Sequence, residues 1–265
     1  MSGELQVERR GPALWLTLNR PERHNALNGA LTTALVEALN TASIDPDVRA
    51  VVLTGAGEKT FCSGADLKEQ SNMFASAGGT NPIGNVLRAI QACRKLVIAR
   101  VNGSALAGGL GVVAACDLAY AADHARFGLP EVRVGVFPMM IATRLMHQIP
   151  ERRFREMAYL GETIGSEEAE RYGLVNRAVP AGELDATIGT VLDRVLLGAP
   201  GAIAAGKAAL SEMQDMTQED ALAYAERMIA ELGERAEARE GRAAFAEKRR
   251  PAWVPGDAAG SSSRK

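Results

Sequence analysis

The chain has 265 residues, enough to bury one large core, or one core with an appendage. Its 30 Lys and Arg against 32 Asp and Glu leave a formal net charge of −2, which gives no electrostatic reason to expect nucleic acid or an anionic membrane as partner. The opening MSGELQVERR lacks the apolar run of a secretory signal, and no later run is long and apolar enough to span a bilayer. The three cysteines, Cys62, Cys93 and Cys116, are widely spaced among apolar neighbours, which fits buried thiols in a cytoplasmic protein and neither a disulfide framework nor a metal site.

The chain begins as strand, tight turn, strand and helix. Residues 13–18 (ALWLTL) are rich in strand formers, and NRPERHNAL leads into residues 29–41, where Leu31, Leu35 and Leu39 fall at helical spacing. Pro46 and Asp47 mark a turn before residues 49–54 (RAVVLT), an apolar run suited to a buried strand. GAGEKTFCSGAD reads as a glycine-punctuated loop, and a helix is expected to start over residues 66–71. Residues 97–101 form another buried strand; a glycine-rich turn, a helix over 108–115 and a strand over 118–121 follow. Strands alternating with crossover helices give an α/β fold with stacked sheets.

From Ser166 the character changes. Ser166, Glu167 and Glu168 read as a capped helix start with acidic residues at the positive end of the helix dipole. Residues 175–179 form the last strand, and 184–250 read as helical, broken at Pro200 and near Asp215. Thr217 and Asp220 fit a capping box, and Leu222, Ala225, Ile229 and Leu232 line up as one apolar stripe. Such a stripe needs a surface to cover, on its own core or on a neighbouring subunit. The terminal GDAAGSSSRK is small, polar and expected to be disordered. These features divide the chain into a core, residues 1–195, and a helical region, residues 196–265.

Two loops carry the chemistry. Ser63-Gly64-Ala65-Asp66 and Ala107-Gly108-Gly109 each follow an expected buried strand, where α/β proteins often place ligands. Small residues admit a ligand to the backbone, and a helix start aims free N–H groups outward. Two such groups converging on one oxygen make an oxyanion hole. On spacing alone, the same glycines read more readily as tight turns and close helix packing. His24, His124 and His147 have no metal-ligand spacing, and no metal site is expected. GAGEKTFCSG lacks the Lys-Ser/Thr pair of a nucleotide-binding loop.

Taken together, NRPERHNAL, FCSGADLKE, VNGSALAGGLGVVAACDLAYAAD, FGLPEVRVGVFP and GLVNRAVP occur in the order and spacing of the crotonase (enoyl-CoA hydratase/isomerase) superfamily, which the chain resembles from about residue 14 to 251. The resemblance implies a spiral of ββα units with a C-terminal helical region that mediates trimerisation, assembling as homotrimers or dimers of trimers. It implies an acyl-CoA substrate, with coenzyme A present only as part of that substrate and no permanently bound cofactor. The backbone N–H groups of Ser63 and Gly108 would hold the thioester oxygen, and Glu131 of GLPEV would be the acid/base. By the same resemblance Arg23 and Lys248 would lie near the CoA moiety, and Ala26, Ala65, Asp66 and Leu67 would line its pantetheine and adenine.

The chain departs from the family pattern in two places. Hydrating relatives carry a second glutamate where this chain has Gly111, and a run of glycines where it has Met139 and Met140 in GVFPMMIAT. One carboxylate suffices to shuttle a proton between carbons, whereas hydration normally holds its water with two. The expectation is therefore an enoyl-CoA isomerase, with a 2-enoyl-CoA hydratase and a non-catalytic acyl-CoA binder as alternatives. Met139 and Met140 either reshape the acyl pocket or fill core.

Overall fold

The computed structural model describes residues 3–68 and 80–255. The chain divides into two compact units, Met1–Thr190 and Val191–Lys265. The first holds β1 (Leu5–Arg10), β2 (Ala13–Leu18), α1 (Gly29–Ile44), β3 (Ala50–Gly55), β4 (Thr60–Cys62), α2 (Pro82–Ala92), β5 (Leu96–Val101), β6 (Ser104–Leu106) and α3 (Gly108–Ala115). It continues through β7 (Leu118–Ala122), β8 (Arg126–Gly128), α4 (Met139–Gln148), α5 (Glu151–Leu160), β9 (Thr163–Gly165), α6 (Ser166–Arg171) and β10 (Arg177–Val179). Then α7 (Leu184–Leu197) crosses the division, and α8 (Pro200–Met213), α9 (Gln218–Gly233) and α10 (Ala236–Ala246) complete the described chain.

The strands form two sheets. A six-stranded sheet runs β1-β2-β3-β5-β7-β10, and a four-stranded one runs β4-β6-β8-β9. Only β1–β2 and β8–β9 pair antiparallel. Each repeating unit gives its first strand (β3, β5, β7) to the large sheet and its second (β4, β6, β8) to the small one, then a helix: the expected ββα spiral. Every residue of β3 is buried, as suits a strand covered on both faces. At the sheet edge, Glu8, Arg9 and Arg10 of β1 are exposed, and charge there discourages pairing with another chain.

Asn28 caps α1 by accepting from the Leu31 N–H at 2.8 Å. The leucines at 31, 35 and 39 then join one buried cluster with Leu16, Leu53, Phe61 and Phe127 from both sheets. Full burial of each such side chain is worth about 1.5–3 kcal/mol over exposure.

The structure corrects several expectations. The GAGEKTFCSGAD loop contains β4, and β6, β8 and β9, the other strands of the small sheet, likewise lie outside the expected strands. Ser166 is the first residue of α6 and not its cap: its hydroxyl donates to the Asp123 carbonyl, and the Gly165 N–H donates to the Glu168 carboxylate at 3.4 Å. Of the helix start expected over 66–71, Leu67 and Lys68 form a turn and the remainder lies outside the described residues, as do the last ten residues.

In the second unit, Thr217 accepts from the Asp220 N–H at 3.2 Å and donates to the Asp220 carboxylate at 2.7 Å, so only the first half of a capping box forms. Leu222 and Ile229 of the expected stripe are 55% and 67% exposed, so the described residues of this unit leave that face uncovered. Among the described residues no single helix is long and apolar enough to cross a membrane.

Candidate active site

The first loop leaves β4 at Cys62 and turns at Gly64, whose φ of +94° favours glycine. A Cβ on Gly64 would also lie 2.7 Å from the Ala107 Cβ and 2.9 Å from the Gly108 nitrogen, so the two loops meet backbone to backbone. Beyond the turn, Ala65 forms an isolated parallel bridge with Leu27. Leu27 donates to the Gly64 carbonyl at 2.7 Å and accepts from the Asp66 N–H at 2.9 Å. In a parallel bridge these bonds flank Ala65, whose own N–H points away from Leu27.

This arrangement overturns the role expected for the Ser63 amide. Its N–H donates to the His24 carbonyl at 3.1 Å, and the Gly64 N–H is turned to the Cys62 sulfur at 3.5 Å. The Ala65 amide makes no hydrogen bond within the described residues. Ser63 is therefore unavailable as a donor, and Ala65 is the amide that this loop leaves free.

The second loop ends at α3, whose eight residues are all buried. Gly108 is its first residue, so its N–H is one of the unpaired donors at the positive end of the helix. A Cβ on Gly109 would stand 2.2 Å from the Cys62 carbonyl oxygen, which is why the helix can begin so close to β4. The point where a Gly108 Cβ would sit is 3.7 Å from the Ala65 nitrogen, so both free amides are neighbours. Between β6 and α3, Ala107 holds φ 50° and ψ −130°, a conformation costly for a residue with a side chain.

Glu131 lies on a 3₁₀ turn, Pro130–Val134, which Gly135 ends in a left-handed conformation. Both carboxylate oxygens are buried and meet no hydrogen-bonding criterion with another group among the described residues. Burial holds the Glu131 carboxyl above its ordinary range, opposed only by its own backbone amide.

One cleft of about 570 Å³ is lined by Ser63, Ala65, Leu67, Gly108 and Glu131, with apolar walls from Ile83, Phe137, Pro138, Met140 and Ile141. Both methionines line the cleft: Met140 also packs partly against the core, while Met139 is 69% exposed. Two grooves along α1, about 790 and 800 Å³, and one in the second unit, about 610 Å³, are larger, but among the described residues none of them contains a buried polar side chain without a partner. The chemistry therefore favours the smaller cleft. No three His, Cys, Asp or Glu side chains among the described residues come together as a metal site.

Behind the cleft, Gly111 of α3 faces α4. A Cβ on Gly111 would lie 2.8 Å from Ile141 Cγ1, so isoleucine fills the space that a side chain at 111 needs.

The expected CoA contacts are spread more widely. Arg23 is exposed on the turn before α1, and neither it nor Ala26 nor Asp66 belongs to the cleft wall. The Ala26 carbonyl and the Asp66 carboxylate both receive hydrogen bonds from Arg20. Lys248 is exposed in the second unit with φ +54°. Sequence reasoning missed Ala65 as the free donor, although its place directly after Gly64 was visible. It also missed Arg20 and Ile141, whose contacts are long-range.

Fold and cleft together define the class: a ββα-spiral protein of the crotonase superfamily. The profile of the enoyl-CoA hydratase/isomerase family matches residues 9–255. The (E)-benzylidenesuccinyl-CoA hydratase of Thauera aromatica is 36% identical over 241 residues, 90% of this chain and 94% of the relative. The short-chain-enoyl-CoA hydratase of Clostridium acetobutylicum is 34% identical, over 92% of this chain and 95% of its own. A solved enoyl-CoA hydratase of Mycobacterium smegmatis superposes with a TM-score of 0.87 at 36% identity, covering 96% of this chain and 100% of the other. The chain belongs to the enoyl-CoA hydratase/isomerase family.

Proposed function

We propose that the cleft binds an enoyl-CoA, holds the thioester oxygen between the N–H groups of Ala65 and Gly108, and isomerises a 3-enoyl to a 2-enoyl thioester with Glu131. The Glu131 carboxylate takes a proton from the carbon next to the thioester. Negative charge moves onto the thioester oxygen, where the two amides stabilise it; one donor of this kind is typically worth about 2.7–4 kcal/mol in the transition state. The double bond shifts, and Glu131 returns the proton to the far carbon. Proton and electrons balance without any group beyond substrate and protein.

The observation that carries this reading is the buried, unpartnered Glu131 carboxylate in the same cleft as the two free amides. A raised pKa lets one group act as base and then as acid near neutral pH. Ile141 against Gly111 favours isomerisation over hydration, because it leaves no room for a second carboxylate to hold water. Coenzyme A enters only with the substrate, with Leu67 at the cleft wall and Arg23 and Lys248 as its candidate cationic contacts. The uncovered face at Leu222 and Ile229 supports assembly as a homotrimer or dimer of trimers.

The test is to incubate a 3-enoyl-CoA in heavy water and follow products by mass spectrometry. Conversion to the 2-enoyl isomer is expected, and Glu131→Gln should slow it by about 10²–10⁴-fold. Unaltered turnover in that variant would remove Glu131 from the mechanism. The names of the relatives favour hydration of a 2-enoyl-CoA as a second reading. Loss of crotonyl-CoA absorbance with no conversion of 3-enoyl-CoAs would select it.

A further inference from the structure

Arg20 follows β2 and lies outside the cleft wall, yet it is among the most engaged side chains in the first unit. Its side chain is 11% exposed, and so it is a largely buried cation. Nη2 donates to Asp66 Oδ2 at 2.9 Å, Nη1 to the Ala26 carbonyl at 2.6 Å, and Nε stands 3.1 Å from Glu4 Oε1. Asp66 is also largely buried, at 12% exposure.

The two inner partners have particular places. Ala26 directly precedes Leu27, and Asp66 directly follows Ala65, so the guanidinium fork spans both strands of the Leu27–Ala65 bridge. That bridge fixes the direction of the Ala65 N–H. The outer partner, Glu4, accepts from Asn28 at 3.0 and 3.2 Å, and Asn28 caps α1. Arg20 thereby ties the loop to the fixed start of a helix.

We propose that Arg20 is a positioning residue for the anion hole: its fork clamps the Leu27–Ala65 bridge and thereby aims the Ala65 amide into the cleft. The inference rests on the reading of Ala65 as an oxyanion donor. Lysine keeps the charge but cannot reach Asp66 and the Ala26 carbonyl with a planar fork. Loss of the fork leaves a buried carboxylate and a carbonyl underbonded, and the loop relaxes. A displacement of about 1 Å at a catalytic donor can cost about 10²-fold in rate.

The test uses a push–pull aminocinnamoyl-CoA, whose absorbance moves to the red when its thioester carbonyl is polarised. Wild-type protein is expected to produce that shift on binding. Arg20→Lys should bind the same thioester with a dissociation constant within a few-fold of wild type, yet give a smaller red shift per bound ligand. Its kcat on a 3-enoyl-CoA should fall by about 10–100-fold with little change in KM. A merely structural role would lower melting temperature or active fraction and leave the shift per bound ligand unchanged; that result overturns the proposal. If Arg20→Lys does not fold, Asp66→Asn, which removes the charge the fork grips, decides by the same readout. A wild-type protein that binds the chromophore without any shift would instead overturn the oxyanion reading itself.

Discussion

Ile141 Cγ1 stands 2.8 Å from where a side chain on Gly111 would begin. The pair is complementary: the residue type with no side chain faces a branched one, and bulk added at 111 alone meets Ile141.

We predict that Gly111→Glu alone lowers stability, because inserting bulk into a packed core costs about 1–3 kcal/mol. Adding Ile141→Ala opens the space and should recover part of that loss while allowing the new carboxylate to reach the cleft. Thermal denaturation and crotonyl-CoA hydration check both parts. A single variant as stable as wild type would show that the local contact yields freely.

A second prediction concerns Glu131 and pH. Burial raises its folded-state pKa above the ordinary glutamate value, so the folded protein binds this proton more tightly than the unfolded chain. The stability it contributes is present below the unfolded pKa and is lost as pH rises through the raised folded value. Glu131→Gln, neutral at every pH, should therefore melt higher than wild type at neutral pH. The difference should shrink as pH falls toward the ordinary carboxylate range. Melting temperatures across that range test this; a variant less stable than wild type at neutral pH contradicts the burial argument.

Ala107 gives a third. Its backbone, φ 50° and ψ −130°, lies where a side chain costs about 1–3 kcal/mol. Glycine removes that cost and adds about 0.5–1 kcal/mol of unfolded-state entropy. Ala107→Gly should accordingly stabilise by up to about 2 kcal/mol, read from urea unfolding. Destabilisation would show that the strain is absent.

What was legible in the sequence follows the range of the forces involved. The strand over Ala13–Leu18 and the helix over Gly108–Ala115 emerge where expected, because a hydrophobic run and a glycine turn are local signals. A second sheet was expected, but its strands escaped notice individually because β4, β6, β8 and β9 have three residues each, too few to display a period of two. At the site, the two loops singled out at SGAD and AGG line one cleft together with Glu131. The choice of donor went wrong at Ser63 because amide direction depends on partners far along the chain, His24 for Ser63 and Leu27 for the residues beside Ala65. Ile141 was equally invisible, thirty residues from the glycine it covers.

The most direct test is a crystal structure with a slowly reacting 3-oxoacyl-CoA. The thioester oxygen is expected about 2.7–3.1 Å from both the Ala65 and Gly108 nitrogens, with the adjacent carbon beside the Glu131 carboxylate. A thioester oxygen bound away from those two nitrogens, or one that draws the Ser63 amide off the His24 carbonyl, would contradict the proposed anion hole.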